Sequence, residues 1–489
     1  MRSIENSQNN LNQELSWKKL QSARTLSVPF QLTLTENEEP LCCIEIIRIV
    51  PHKRLVAFAK WKNKLVVAKL FYERGKAKRH CNRDAAGIKA LMSANIPTPA
   101  LLYQGSAHKK AIHVLIFEKI SSAVSLDDVW RDKLDLSEAL PLLRGVILEL
   151  ATQHVLGILQ RDLHLKNFLV TQRKIYTLDG ASITTFGEPL DKKISLANLG
   201  LFFAQLGVGT DDLQEDFFKY YAKLRGWPIK NSDLTTLRSI VIQSNQKRQQ
   251  RFQKKVLRNC TAFSKTKTSK QWMMQDRGYL SSEFTQFLKN PDKAFSTASH
   301  LLKAGRTTSV AKIKINNHLF VVKRYNIKNS LHALRRCLRE TRAVTSWRLA
   351  QQLRLFCIPT AKPVACIEYR FLGLRSKSYF IMEYIEGPHL GNYFSRYRYG
   401  DAEAEKVAER VVNLFKNLGE LRMTHGDLKM TNILVANNHP VLIDLDGMIA
   451  HRSAASFRRA FKKEINRFMK NWEDQPDVYA LFDGLVKKL

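Results

Sequence analysis

Two aspartates and an asparagine recur in one spacing at two places in this chain of 489 residues. Asn167 follows Asp162 by five residues and Asp179 follows it by seventeen; Asn432 and Asp444 follow Asp427 at the same distances. Every member of the second set lies 265 residues after its counterpart. The first phrase reads Gln160-Arg161-Asp162-Leu163-His164-Leu165-Lys166-Asn167, the second His425-Gly426-Asp427-Leu428-Lys429-Met430-Thr431-Asn432. A single Asp and Asn so spaced is a common capped turn, but two complete, co-linear sets are not. The chemistry they suit is phosphoryl transfer from ATP. Asp162 and Asp427 would orient an acceptor hydroxyl and take its proton. Asn167 with Asp179, and Asn432 with Asp444, would offer oxygens to Mg2+, a hard cation. Asp446 is a rival to Asp444, and the shared offset favours Asp444.

Phosphoryl transfer also needs a cation on the phosphates. Lys69 closes the apolar run Val66-Val67-Ala68, and Lys323 closes Val321-Val322. Each lies about a hundred residues before its aspartate, where a protein-kinase-like fold carries its phosphate-binding lysine on an N-terminal sheet. Gly305 could supply a phosphate-contacting turn in the second copy; Val50–Arg54, its place in the first, has no glycine. The helix acid that pairs with such a lysine falls at Asp84 in the first copy and at Ser346 in the second, with Glu340 the nearest upstream substitute. Glu118 and Glu383, each directly after an apolar run, are the hinge candidates.

The elements needed to position these residues repeat in order. Strands fit 44–50, 55–61, 64–71 and 112–117, then 310–315, 318–323 and 379–382. Helices fit 77–94 and 137–159, then 331–355 and 402–422. Ile96-Pro97-Thr98 and Ile358-Pro359-Thr360 break the chain at matching places. This order predicts a duplicated domain rather than a solenoid. The expected divisions are a polar segment 1–40, a first domain 41–262, a basic linker 263–290 and a second domain 291–489.

The net charge of +35 favours polyanionic partners. No acid interrupts Lys247–Lys270, whose nine basic residues suit an anionic membrane surface. No RNA-binding-module motif accompanies the charge, so nucleic acid is not an expected partner. Seven cysteines without CxxC spacing argue against a zinc site or a disulfide framework and suit a cytosolic protein. The N-terminus lacks the apolar core of a signal peptide, and no apolar run is long enough to span a bilayer.

The chain resembles the Kdo/WaaP lipopolysaccharide kinase family, once in each half. The first copy carries the resemblance in Arg54, Ala68-Lys69-Leu70-Phe71, Ile96-Pro97-Thr98-Pro99, Arg161–Leu169 and Leu178-Asp179-Gly180. The second carries it in Val322–Asn326, Ser346-Trp347, Ile358-Pro359-Thr360, Ser378-Tyr379-Phe380, His425–Lys429 and Ile443–Asp446. The resemblance implies an α+β fold of two tandem bilobal protein-kinase-like domains, each with a small β-rich N-lobe and a helical C-lobe. It implies an ATP- and Mg2+-dependent phosphotransferase acting on an alcohol, with a sugar hydroxyl of the lipopolysaccharide inner core (Kdo or heptose) or a related glycan as acceptor. The place of action would be the cytoplasm, peripheral on the inner membrane's cytoplasmic face. Gln160 stands where the family usually has histidine. A protein kinase is the enzymatic alternative, disfavoured because no Ala-Pro-Glu segment follows Asp179 or Asp444. A membrane- or nucleic-acid-binding pseudokinase scaffold is the other alternative, and the complete Lys/Asp/Asn/Asp sets argue against it.

Overall fold

The computed structural model describes residues 20, 26–35, 40–108, 110–132, 139–172, 174–296, 301–326 and 339–489. The fold is mixed α+β, and the chain divides into two compact units, Met1–Gln205 with Asp212–Ser244 and Leu206–Asp211 with Asn245–Leu489.

The first unit begins with an antiparallel sheet of β1 (Phe30–Thr33), β2 (Pro40–Val50), β3 (Arg54–Trp61), β4 (Lys64–Phe71), β5 (Leu101–Ala107) and β6 (Ile112–Glu118), in the order β1-β2-β3-β4-β6-β5. Period-two patterning makes these strands: Leu55, Ala57 and Ala59 are buried while their neighbours are not. Lys62 and Asn63 both take positive φ in the two-residue turn that joins β3 to β4. Helix α1 (Ala77–Ser93) packs on the turn after Asp179 so closely that a Cβ on Gly87 would sit 2.0 Å from the Gly180 carbonyl oxygen. The remainder is built from β7 (Val124–Ser125), α2 (Leu126–Asp132), α3 (Ala139–Val155), β8 (Ile158–Gln160), β9 (Phe168–Val170), β10 (Ile175–Thr177), β11 (Ile183–Thr185), α4 (Lys192–Phe203) and α5 (Asp211–Leu224). Helix α6 (Asn231–Lys255) follows, and the division between the units falls within it.

The second unit has a seven-stranded antiparallel sheet of β12 (Phe263–Lys267), β13 (Gln271–Asp276), β14 (Leu301–Ala304), β15 (Thr308–Ile315), β16 (His318–Tyr325), β17 (Pro363–Phe371) and β18 (Leu374–Glu383). Its order is β12-β13-β17-β18-β16-β15-β14. The last five strands repeat the β2-β3-β4-β6-β5 order of the first unit, read from the other edge. Helix α7 (Ser282–Lys289) lies between β13 and β14, and α8 (Arg342–Leu355) packs on the sheet. Then come α9 (Leu390–Phe394), α10 (Ala402–Glu420), β19 (Met423–Thr424), β20 (Ile433–Ala436), β21 (His439–Leu442), β22 (Ile449–Ala450), α11 (Ala454–Lys470) and α12 (Pro476–Val486). Trp347, Phe415, Phe468 and Trp472 centre the core.

Several expected divisions differ from the structure. The segment 1–40 is not a tail throughout, since β1 joins the sheet and buries Phe30 and Leu32. The stretch 263–290 is not a linker: β12 and β13 extend the second sheet, and α7 buries Phe284 and Leu288. Its lysines masked the buried Phe263, Trp272 and Met274 of those strands. The basic end of α6 belongs to the second unit, where Val256 is buried and its carbonyl accepts a hydrogen bond from Trp347 Nε1 at 2.9 Å. The helix expected over 137–159 ends at Val155, because Gly157 turns the chain at φ +68° into β8. Of the helix expected over 331–355, residues 331–338 lie outside the described residues, and the observed helix starts at Arg342.

Candidate active site

In the first unit β4 presents Lys69 beside Val56 of β3 and Leu115 of β6. Its ammonium donates to both carboxylate oxygens of Asp84 on α1, at 2.8 and 3.2 Å, and lies 3.9 Å from Asp179. Asp84 is fully buried, so this pair satisfies a charge that could not otherwise be accommodated. Asp179 sits in the left-handed region at φ +67°, which short polar side chains tolerate and which begins the turn packed under α1. Its Oδ1 is buried and accepts no hydrogen bond from a described residue, an orphaned oxygen that suits a cation. Asn167 donates its amide to the Asp162 carbonyl at 2.7 Å, which leaves its own Oδ1 for a cation. The Leu178 N–H donates to the Asn167 carbonyl at 2.8 Å, so the two oxygen donors are tied through the backbone. Asp162 is exposed and lies 3.0 Å from His164 Nε2. That bond, together with Arg48 and Arg54, holds its carboxyl below the usual range against a partial desolvation by its surroundings.

The second unit repeats the strand geometry with a different ion pair. Lys323 on β16 faces Val310 and Phe380. It donates to Asp444 and, at 3.4 Å, to Asp446. Burial works against the Lys323 charge, but the Tyr325 phenol and the Asp446 and Asp444 carboxylates outweigh it and raise its pKa. Arg342, the first residue of α8, donates to Asp446 from the helix side. Ser346, at the helix-acid position, is taken up by the Tyr325 hydroxyl at 3.0 Å. Glu340 binds Arg348 and Thr345 instead, so it is not the lysine's partner. Asp444 repeats the left-handed conformation of Asp179, at φ +64°. Burial raises the pKa of Asp446, and the neighbouring Asp444 adds to this; Asp446 and Lys323 keep Asp444 low against its own burial. Asn432 donates to the Asp427 backbone at 2.8 Å and to its carboxylate at 3.2 Å. Lys429 lies 2.9 Å from Asp427, which burial raises but the lysine brings below the usual range. A small pocket lined by Lys323, Thr360, Phe380, Met382 and Asp444 opens beside the lysine.

Two second-unit residues support the Asp427 loop from α11. The buried Glu464 carboxylate accepts the N–H groups of His425 and Gly426, and Arg467 donates to the Gly426 carbonyl at 2.9 Å. Among the described residues, no acid plays this part in the first unit. There Arg161 N–H bonds the Ser182 carbonyl and the Asn198 amide bonds the Gln160 carbonyl, both at 2.9 Å. The hinge candidates close the corresponding strands: Glu118 N–H donates to Ala100, and Glu383 N–H donates to Lys362. The Glu383 side chain is held by the Tyr279 hydroxyl. Gly305 lies in the β14–β15 turn, where its carbonyl accepts from Asn326 at 3.2 Å.

Residues 302–481 match the model of the lipopolysaccharide kinase (Kdo/WaaP) family. The match lies within the second unit and spans Lys323, Asp427, Asn432 and Asp444. On that match the chain is an ATP-dependent phosphotransferase. Curated proteins return no match. Among solved structures, the kinase domain of Mycobacterium tuberculosis PknI, a cysteine-to-alanine mutant, is similar at 13% identity over 37% of this chain and 77% of that one, with a TM-score of 0.26. That likeness is too slight to place any residue. The motif spacing showed neither the pairing of Asp446 with Arg342 nor the Glu464 clamp nor Arg48. Asp446 was visible as a second acid two residues after Asp444, but nothing in the spacing showed that α8 would meet it with an arginine.

Proposed function

We propose that each unit is a bilobal kinase-like domain that binds ATP with Mg2+, and that the enzyme phosphorylates a sugar hydroxyl of the lipopolysaccharide inner core, Kdo or heptose, or of a related glycan. Lys69 and Lys323 hold the ATP phosphates, with Gly305 at the phosphate turn of the second unit and Glu118 and Glu383 at the hinges. Asp162 and Asp427 accept the proton of the acceptor hydroxyl as its oxygen attacks the γ-phosphorus, and the bond from that phosphorus to the β-phosphate oxygen breaks to release ADP. Asn167 with Asp179, and Asn432 with Asp444, are the oxygen donors that would hold Mg2+. Bound there, the metal would offset the negative charge of the phosphates. Domain limits near the division within α6 and a peripheral place on the cytoplasmic face of the inner membrane belong to the same reading.

The observation that carries the proposal is the bonded chain in the second unit from Lys323 through Asp444, whose preceding residue Ile443 donates to the Asn432 carbonyl at 3.0 Å, to Asp427. It joins the four proposed roles inside the span that matches the kinase family. The test is Mg2+-dependent ATP turnover by the purified chain, with Asp444→Ala and Asp179→Ala made singly and together. Each single variant should lose one nucleotide site, and the double variant should lose turnover by at least about a thousandfold. Turnover that survives the double variant would refute the metal assignment. The acceptor is tested by mass spectrometry of lipopolysaccharide from cells lacking the protein: loss of one phosphate from the inner core is expected, and an unchanged core removes that acceptor.

A further inference from the structure

We propose that two adjacent hairpin tips at one end of the second sheet form a docking point for an anionic phospholipid bilayer. The first tip is the β12–β13 turn, where Lys267 and Lys270 are exposed and Thr268 N–H closes on Gln271 at 2.8 Å. The second is the β17–β18 turn. There Phe371 pairs with Leu374 across Leu372 and Gly373, which take φ of +48° and +80°. Phe371 is 72% exposed, Leu372 87% and Leu374 44%. The two turns lie side by side, because Gln271 pairs with Tyr369 and Arg370 N–H donates to the Lys270 carbonyl at 2.8 Å.

An apolar side chain in the left-handed region of an exposed turn contributes nothing to the core and costs backbone strain. Leu372 carries both features, with Phe371 beside it. The charges around the tip favour an anion. Lys267 and Lys270 enter no ion pair among the described residues, while Arg370 and Arg375 both pair with Glu368. Lys377 is already paired with Asp292 at 2.8 Å. A second copy of the chain would bring like charges together. A hairpin tip with exposed Phe371 and Leu372 suits a soft layer that closes around it, while its lysines meet headgroup phosphates within a Debye length of about 8 Å. The occupant is therefore a bilayer surface rather than a rigid partner. No helix of the described residues is long and apolar enough to cross a membrane, so the contact is one of insertion at the interface.

The experiment is sedimentation of the full chain with vesicles of phosphatidylcholine alone and with roughly a third phosphatidylglycerol. Binding should require the anionic lipid and weaken with salt. Phe371→Ser with Leu372→Asn, an exchange that suits the turn, should weaken it about tenfold or more. Lys267→Gln with Lys270→Gln should do likewise, at about fivefold per lysine. A Leu372→Trp chain should shift its emission to the blue on anionic vesicles, beyond any shift of the wild type, and this single exchange reads the tip even where a double variant folds poorly. Wild-type binding that needs no anionic lipid, tip variants that bind like the wild type, or no added blue shift from the introduced tryptophan would each overturn the proposal. So would displacement by soluble glycerol phosphate, which indicates a free-anion site, or a dimer that the apolar variant dissolves. The tip lies outside the proposed catalytic residues, so these variants should keep ATP turnover. Vesicle binding by a chain without turnover would sink the proposed function and leave this inference standing.

Discussion

The two lysines stand on equivalent strands and solve one problem differently. In the first unit the anchoring acid comes from the helix, Asp84, and the turn after Asp179 carries Ala181. In the second unit the helix has Ser346 at that place, and the anchoring acid comes from the turn, Asp446, which lies 265 residues after Ala181. The helix then contributes Arg342 to the same carboxylate. What both arrangements keep is a buried acid on the lysine and a link between helix and turn. In the first unit that link is close packing of Gly87 on Gly180; in the second it is an ion pair. The acid has moved from one element to the other while the lysine has stayed.

Moving the acid back is the largest test of this view. Asp446→Ala leaves Lys323 with Asp444 alone and strands Arg342, and loss of one partner from a buried charge network costs several kcal/mol. With the first unit silenced by Asp179→Ala, ATP turnover should fall by roughly a hundredfold. Adding Ser346→Asp to that chain rebuilds the first unit's arrangement and should recover most of the loss. If Asp446→Ala is silent, the acid is not an anchor. If Ser346→Asp rescues nothing while Mn2+ affinity falls with Asp446, the acid serves the metal instead.

The repeat made the lysines, both aspartates and the asparagines legible, because these positions sit at fixed spacing on strands and short turns. The acid partner of Lys323 was not legible: it depends on Arg342 standing in the first turn of α8 against Asp446, which the apolar pattern of the helix does not show. Most strands were readable from their alternation. The β12–β13 hairpin was not, since Lys265, Lys267 and Lys270 read as a solvated linker although Phe263, Trp272 and Met274 alternate beneath them. Glu464 was out of reach for a different reason. Its role is set by α11 folding back onto the loop, a contact between residues 38 and 39 positions apart.

The units should also part company in acid. His154 on α3 is fully buried against the Tyr221 hydroxyl at 2.7 Å and Asn198 at 3.1 Å, and burial pushes it down to about 4. The unfolded chain therefore binds a proton there that the folded unit refuses. Stability is complete above the unfolded value near 6.5 and is lost as pH falls toward 4, by about 2 kcal/mol between pH 7 and pH 5. The second unit has Gly419 at the equivalent offset. In urea titrations followed by proteolysis and mass spectrometry, the first unit's midpoint should drop on going to pH 5 and the second's should move less. Equal shifts would remove His154 as the cause.

The loop supports differ by a smaller amount. Glu464→Gln keeps the shape but replaces a carboxylate that accepts two N–H groups with an amide that can accept both only at one oxygen. Hydrogen bonds to a charged group are worth about 1.5–3 kcal/mol, so kcat in the second unit should fall by at least about tenfold. The KM for ATP should hold, because Lys323 is anchored elsewhere. A rise in KM with kcat unchanged would mean that Glu464 acts on the nucleotide site rather than on the Asp427 loop.

The smallest effect should come from the most conspicuous sequence departure. Gln160 stands in the first unit where the second has His425. In the fold its Nε2 donates to the Leu178 carbonyl at 3.0 Å, while His425 Nε2 donates to the Ile443 carbonyl at 2.9 Å. Leu178 and Ile443 are the residues immediately before Asp179 and Asp444, and they too are 265 apart. Both side chains are fully buried, and each leaves its second polar atom, Gln160 Oε1 or His425 Nδ1, without a partner among the described residues. One donated N–H to one carbonyl is thus the whole of the shared task, and an amide performs it as an imidazole does. Gln160→His in a chain whose second unit is silenced by Asp444→Ala should change turnover by less than about threefold, no more than the low end of the net worth of one hydrogen bond. A gain of a hundredfold would show that the ring does more than hold the strand before the aspartate, and that the first unit had been weakened by its glutamine.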